Sequence, residues 1–210
     1  INVSKSESEK LRDEISLVRG QQVTDAALSD ARESIRRYYL DKGYLKTKVT
    51  ARQEKSDSLM ANSVIVYYDV QRGPKVKIHD IIFHGNEHVP AKKLRKAMKG
   101  TKRKRAYNIF GSSKFNAKTY RDDKQHVVDV FNDFGYRNAA VVSDTMYYVD
   151  DSHINLELTV EEDRQFYYRN VTFTGNTKYS TDTLTKVLAI KRGDVYNKKR
   201  LESRLYMNQN

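Results

Sequence analysis

The residues of this 210-residue chain that could do chemistry are five histidines, 27 carboxylates and a run of cations, and it contains no cysteine. Without cysteine there is no disulfide, no thiolate nucleophile and no Cys-ligated zinc, and the redox compartment stays open. His84 and His88 have the i, i+4 spacing of a helical metal-binding pair, but Gly85-Asn86 lies between them and breaks the helix that would put both imidazoles on one face. Carboxylates adjoin at Asp122-Asp123, Asp150-Asp151 and Glu161-Glu162. Neighbours in sequence point apart on a helix or strand, and neither a nucleophile paired with a base nor a Gly-rich phosphate loop accompanies them. The expectation is a protein with no active site, no metal and no cofactor.

The cations are more informative. Lys and Arg exceed Asp and Glu by 39 to 27, a net charge of +12, and the window from Ala91 to Arg121 holds twelve cations and no acid. Outside it the charges balance at 27 each, so the basicity is local and is no general affinity for polyanions. Within the window, Lys99, Lys102, Arg103, Lys104 and Arg105 precede Tyr107, Ile109 and Phe110, a composition suited to anionic headgroups, acidic protein faces or nucleic-acid phosphates. A plain solvated loop is the competing explanation.

Composition sets the frame for these residues. With 38% hydrophobic residues, two prolines, 15 Tyr and 7 Phe, the chain reads as ordered and strand-containing throughout. Apolar runs are only a few residues long, as at Ile81 to Phe83, so neither a bilayer-spanning helix nor a signal-peptide core is expected. A start at Ile1 and an end within a helical pattern suggest a piece of a longer protein.

A fixed internal offset supplies the architecture. Ile81, Phe83, Gly85, Asn86, Leu94 and Met98 return as Val171, Phe173, Gly175, Asn176, Leu184 and Leu188, each 90 residues on (85 to 175). Ile35, Tyr39, Gly43, Tyr44 and Val49 return as Val127, Phe131, Gly135, Tyr136 and Val141 at 92 (43 to 135), and Val64, Val66, Tyr68 and Val70 as Ile154, Leu156, Leu158 and Val160 at 90 (64 to 154). Alternation at Ile81 and Phe83, stopped by Gly-Asn, predicts a first strand. Leu94, Ala97 and Met98 after Pro90 predict a short helix, as do Leu184, Val187 and Leu188 after Ser180 and Thr181. Tyr120, Val127, Phe131 and Phe134 share one face of a second helix with Asn116 as N-cap and Gly135 as left-handed stop. Two alternating strands complete the order β-α-α-β-β. Three modules follow: 1–74 lacking its first strand; 75–165, complete, with a basic insertion over 99–114; and 166–210, partial, with a first strand and two helices. Their joints, 71–75 and 161–165, are short, which predicts a semi-rigid array. Gly43, Gly85, Asn86, Gly135, Gly175 and Asn176 are turn residues in this scheme.

Repeats of this order and length, opening on Ile81-x-Phe83-x-Gly85-Asn86 and Val171-x-Phe173-x-Gly175-Asn176 and closing on Gly43-Tyr44 and Gly135-Tyr136, resemble POTRA domains, and the likeness covers essentially the whole chain. The third repeat looks especially like BamA-type outer-membrane assembly proteins, and the basic insertion like versions from the Bacteroidetes. The resemblance implies an α+β fold in which each module is a three-stranded sheet covered on one face by two helices. It implies a periplasmic docking and chaperone arm at the outer membrane, attached to a C-terminal β-barrel, that binds unfolded outer-membrane proteins and accessory lipoproteins. In that family the second strand is an edge that accepts an extended chain. The matching segments here are Leu45 to Gln53 and Ala139 to Tyr148, and the second, with Val141, Val142, Ser143, Met146, Tyr147 and Tyr148, is the more apolar. The basic loop would then meet an anionic membrane surface or a partner protein, nucleic acid being out of reach. The alternatives are the arm of a two-partner-secretion or translocation transporter, a divisome protein with one such domain, and a nucleic-acid-binding array using the Ala91 to Arg121 window.

Overall fold

A computed structural model of the chain describes residues 4–56, 62–103 and 113–206. Helices α1 (Lys5–Glu14) and α2 (Asp25–Asp41) precede strands β1 (Lys48–Lys55) and β2 (Val64–Gln71). Strand β3 (Lys77–His84), helices α3 (Ala91–Ala97) and α4 (Ala117–Asp133), and strands β4 (Ala140–Tyr148) and β5 (His153–Glu161) come next, then α5 (Thr181–Leu188) and α6 (Lys198–Tyr206). Contacts divide the chain into two compact units, one of Ile1–His79, Arg103–Thr119 and Tyr148–Ile154, the other of Asp80–Lys102, Tyr120–Tyr147 and Asn155–Asn210. The basic-loop residues Lys104, Arg105, Tyr107 and Phe110 lie outside the described residues.

In the first unit α2 begins on Thr24, whose hydroxyl accepts from the Ala27 N–H, and buries Leu28, Ala31, Ile35 and Tyr39 along one stripe. Ile35 and Tyr39 pack with Leu11 of α1 and Val70 of β2. Burial, and after it the Glu7 carboxylate, push the Tyr39 hydroxyl up to about 12. Strands β1 and β2 pair antiparallel from Lys48 opposite Gln71 to Lys55 opposite Val64 and form a sheet of two. The second sheet has three strands in the order β3-β5-β4. A central strand with neighbours on both sides buries its alternate residues, and Ile154, Leu156, Leu158 and Val160 of β5 are 0 to 2% exposed. Their matches in β2 have a neighbour on one side only, and Val64 is 39% exposed.

The three-stranded sheet belongs to the middle module, the one that carries all its strands, and the first module, which lacks its first strand, forms the sheet of two. The first strand expected near 166–174 in the third module is not formed: an isolated bridge joins Tyr167 to Val195, and residues 168–174 carry no ladder. Alternation becomes a strand only when a partner strand completes its hydrogen bonds, and the third module offers none among the described residues. Helix α1 is the first helix of the order that remains when a module lacks its first strand: Leu11 precedes Leu184 of α5 by 173 residues, and Leu184 is the match of Leu94 in α3.

The repeated Gly-Tyr pair has one physical cause. Gly43 and Gly135 lie at φ +90° and +86° directly after the second helix of their modules. The N–H of each glycine returns to Leu40 or Asn132 and that of the following tyrosine to Tyr39 or Phe131, which is a Schellman motif. The apolar contact that accompanies such a motif is edge-on ring packing, Tyr39 with Tyr44 and Phe131 with Tyr136. The glycine carbonyl then accepts the N–H of the next module's opening residue, Val76 at 2.8 Å or Phe166 at 2.9 Å. The carbonyl of that residue accepts in turn from Phe115 or Tyr196, at 2.9 and 2.8 Å. A Cβ on Gly43 would press into the Phe115 carbonyl oxygen, and one on Gly135 would lie 2.5 Å from Val195 Cγ1.

Gly175 is also left-handed, at φ +73°, but a Cβ there would meet nothing within 4 Å. Gly175→Ala is therefore expected to lose about 1 kcal/mol, the cost of the left-handed backbone alone, and Gly43→Ala about 2 kcal/mol or more. Urea unfolding of the two variants checks this, and equal losses would contradict the backbone relay.

Candidate docking edge

A three-stranded sheet has two edges, and in this sheet they differ. The outer side of β3 is occupied: besides the relay at Val76, the Ile78 N–H donates to the Ser113 carbonyl at 2.7 Å, and Arg95 Nη1 donates to the Ile81 carbonyl at 3.2 Å. Strand β4 lies at the opposite edge, with β5 as its neighbour. An edge strand presents alternate N–H and C=O groups to any extended chain that can reach them.

The sequence-derived residues of this edge fall as follows. Val142, Met146, Tyr147 and Tyr148 are 48, 43, 39 and 42% exposed, Ser143 is exposed and Val141 half-buried. Apolar side chains thus reach solvent on both faces of β4. Ala139 is different: it is buried, precedes the strand, and gives its N–H to the Tyr136 carbonyl in the turn after α4. It is a corner residue and leaves the docking set. Strand β1, the corresponding edge of the first sheet, reads Lys-Val-Thr-Ala-Arg-Gln-Glu-Lys, and its Arg52 binds Asp69 at 3.3 Å and lies 4.4 Å from the Tyr67 ring centroid. Charge guards β1, whereas β4 carries one acid, Asp144, paired with Lys124 at 2.8 Å.

The remaining candidates are structural. His84 and His88 face different carboxylates, Glu157 at 3.7 Å and Glu162 at 2.7 Å. Glu162, buried, accepts from the His88 and Val89 N–H groups and so holds the loop ahead of α3. Asp123, also buried, accepts from the Gly100 and Thr101 N–H groups and holds the loop behind it. Sequence inspection saw adjoining carboxylates; their use as backbone acceptors across gaps of 22 and 74 residues had no local signal. Asn86 and Asn176 explain the Gly-Asn turns, each side chain donating to the carbonyl three residues on, Val89 at 2.9 Å and Tyr179 at 3.1 Å. Lys99 and Lys102 are exposed and Arg103 half-buried.

The profile of the POTRA family, surface antigen variable number repeat, matches residues 2–73, 76–163 and 166–206. The chain belongs to this family. A Treponema pallidum protein named as a candidate outer membrane protein assembly factor is 30% identical over 199 residues, covering 92% of this chain and 23% of its own length. The outer membrane protein assembly factor BamA of Neisseria meningitidis is 26% identical over 196 residues, covering 92% and 24%. The chain thus spans about a quarter of the length of these relatives. The crystal structure of Haemophilus influenzae BamA POTRA3-5 is similar at 22% identity and a TM-score of 0.48, over 99% of this chain and 81% of that one. The POTRA fold, in tandem α+β repeats, accounts for the repeat offsets and the β-α-α-β-β order.

The turn joining β4 to β5 is held by one carboxylate. Asp150 Oδ1 accepts the Ser152 and His153 N–H groups at 2.8 Å each, and the His153 ring lies 2.8 Å from Oδ2. These bonds, the Ser152 N–H first and the His153 side chain next, lower the Asp150 carboxyl to about 2. A depressed folded-state value means that the turn is favoured while Asp150 is ionised. That contribution is complete above the unfolded value of about 3.9 and is lost as pH falls through about 2. Carboxyl-carbon NMR on the folded chain is expected to place the Asp150 midpoint near 2. A midpoint at the ordinary value would remove the carboxylate from the turn.

Proposed function

We propose that this chain is a periplasmic docking arm of an outer-membrane assembly factor, and that it captures extended segments of unfolded outer-membrane proteins and accessory lipoproteins by strand addition along β4. The open, apolar β4 edge beside a covered β3 edge carries this reading. An incoming strand would find ladder hydrogen bonds from the β4 backbone, with contacts from Val142, Met146, Tyr147 and Tyr148 on alternate faces. The named relatives support the setting, since they are outer membrane assembly factors. The backbone relays at Gly43 and Gly135 suit an arm that presents an edge without refolding. Binding and presentation need no bond chemistry, in keeping with carboxylates and histidines that serve as loop fasteners. The parent protein's β-barrel belongs to the same proposal.

An amide-resolved NMR titration with a peptide copying the final strand of an outer-membrane barrel tests it. Shifts are expected to trace 140–148, and a Val142→Lys, Met146→Lys double variant to weaken binding about tenfold or more by placing charge where the ligand packs. An unchanged spectrum, or shifts confined to β1, would overturn the assignment.

A further inference from the structure

Helix α3 breaks rules that its own repeat obeys. At the 90-residue offset, α3 (AKKLRKA) and α5 (TDTLTKVL) are the same helix, with Leu94 matched by Leu184. Helix α5 starts on Ser180, whose hydroxyl accepts the Thr183 N–H at 3.2 Å, and carries Asp182 in its first turn. Helix α3 starts on Pro90 with no side-chain cap bond, has no acid in its first turn, and places Lys92 and Lys93 there instead. A missing cap and cations at the positive end of the macrodipole both weaken a helix. The fold does not ask for them, since α5 does without. A local rule broken at Lys92 with no structural gain marks a surface kept for something else.

The cations sort by use. Lys93 Nζ lies 4.2 Å from the Phe134 ring centroid, and Arg95 fastens the Ile81 carbonyl. Lys92, Lys96, Lys99 and Lys102 are not engaged in this way, since all four are exposed and make no ion pair among the described residues. Lys92 and Lys96 stand one turn apart on α3, and Lys99 and Lys102 continue in the stretch behind it. Asp123, the carboxylate bound to that stretch, is buried and taken by Gly100, Thr101 and His126.

We propose that Lys92, Lys96, Lys99 and Lys102 form a contact surface for the phosphate headgroups of an anionic bilayer. The proposal rests on the docking-arm reading, which puts the chain beside a membrane. Headgroup binding needs a row of unpaired cations and little else. Single-stranded nucleic acid needs aromatic platforms, and α3 has none. A duplex would draw on a wider positive field, whereas the chain outside Ala91 to Arg121 is charge-balanced.

Flotation of the 210-residue chain with phosphatidylglycerol-containing vesicles and with phosphatidylcholine vesicles tests it. Binding to the anionic vesicles alone is expected, falling at least about tenfold when Lys92, Lys96, Lys99 and Lys102 all become Gln. A control with Lys10, Lys186, Lys191 and Lys199 changed to Gln has the same net charge and is expected to bind as the parent does. Equal loss in both variants, no preference for anionic vesicles, or tighter patch-dependent binding of duplex DNA at physiological salt would each overturn the proposal. The barrel-strand peptide is titrated into the same variants. Shifts on β4 that survive in the patch variant separate the two surfaces, and absent β4 shifts with patch-dependent vesicle binding intact count against the docking edge alone.

Discussion

A left-handed glycine at the end of a helix is the constraint on which the rest of this structure depends. Gly43 and Gly135 turn the chain out of the second helix, and their carbonyls, free of the helix, carry the first residue of the next module. That residue's own carbonyl receives the backbone just ahead of the next second helix, so one turn fixes three segments through main-chain bonds. Side chains reinforce each joint differently. Lys46 pairs with Asp151 at 3.0 Å near the first, while Gln165 and Asn197 donate to the Phe134 and Asp133 carbonyls at 2.8 Å near the second. The shared part is backbone, which explains why the repeat keeps Gly-Tyr while the surrounding residues vary.

The same relay makes the two edges of the three-stranded sheet unequal. Bonds that hold β3 to its neighbours cover β3, and no corresponding segment covers β4 among the described residues. Sheets normally guard such an edge with charge, a bulge or a covering loop. Strand β1 follows that pattern, and β4 shows Val, Met and Tyr instead. The buried carboxylates belong to this economy of backbone groups: Glu162 and Asp123 take up N–H groups on either side of α3 and let a seven-residue helix with a weak start hold its place.

Much of this was legible in the residues. Offsets of 90 and 92 located the modules because each repeat reuses the same steric solutions: left-handed turns, an N-cap at Asn116 that accepts the Thr119 N–H at 2.8 Å, and apolar positions at helical and strand periods. The cations of the middle module and the apolar character of 140–148 were equally open to inspection. Helix α1 follows from the same order, as the first helix of a module that lacks only its first strand, with Leu11 buried where Leu94 is buried in α3.

The sequence by itself determined which residues turn, which helix faces are apolar and where charge accumulates, since these follow from side-chain and backbone preferences over a few neighbours. Only the tertiary structure decided which apparent strands pair, which edge stays open, that Ala139 is a corner, and that Glu162 and Asp123 are backbone acceptors. Each of these outcomes depends on a hydrogen-bond partner distant in the chain. No local pattern of residues specifies whether that partner is present.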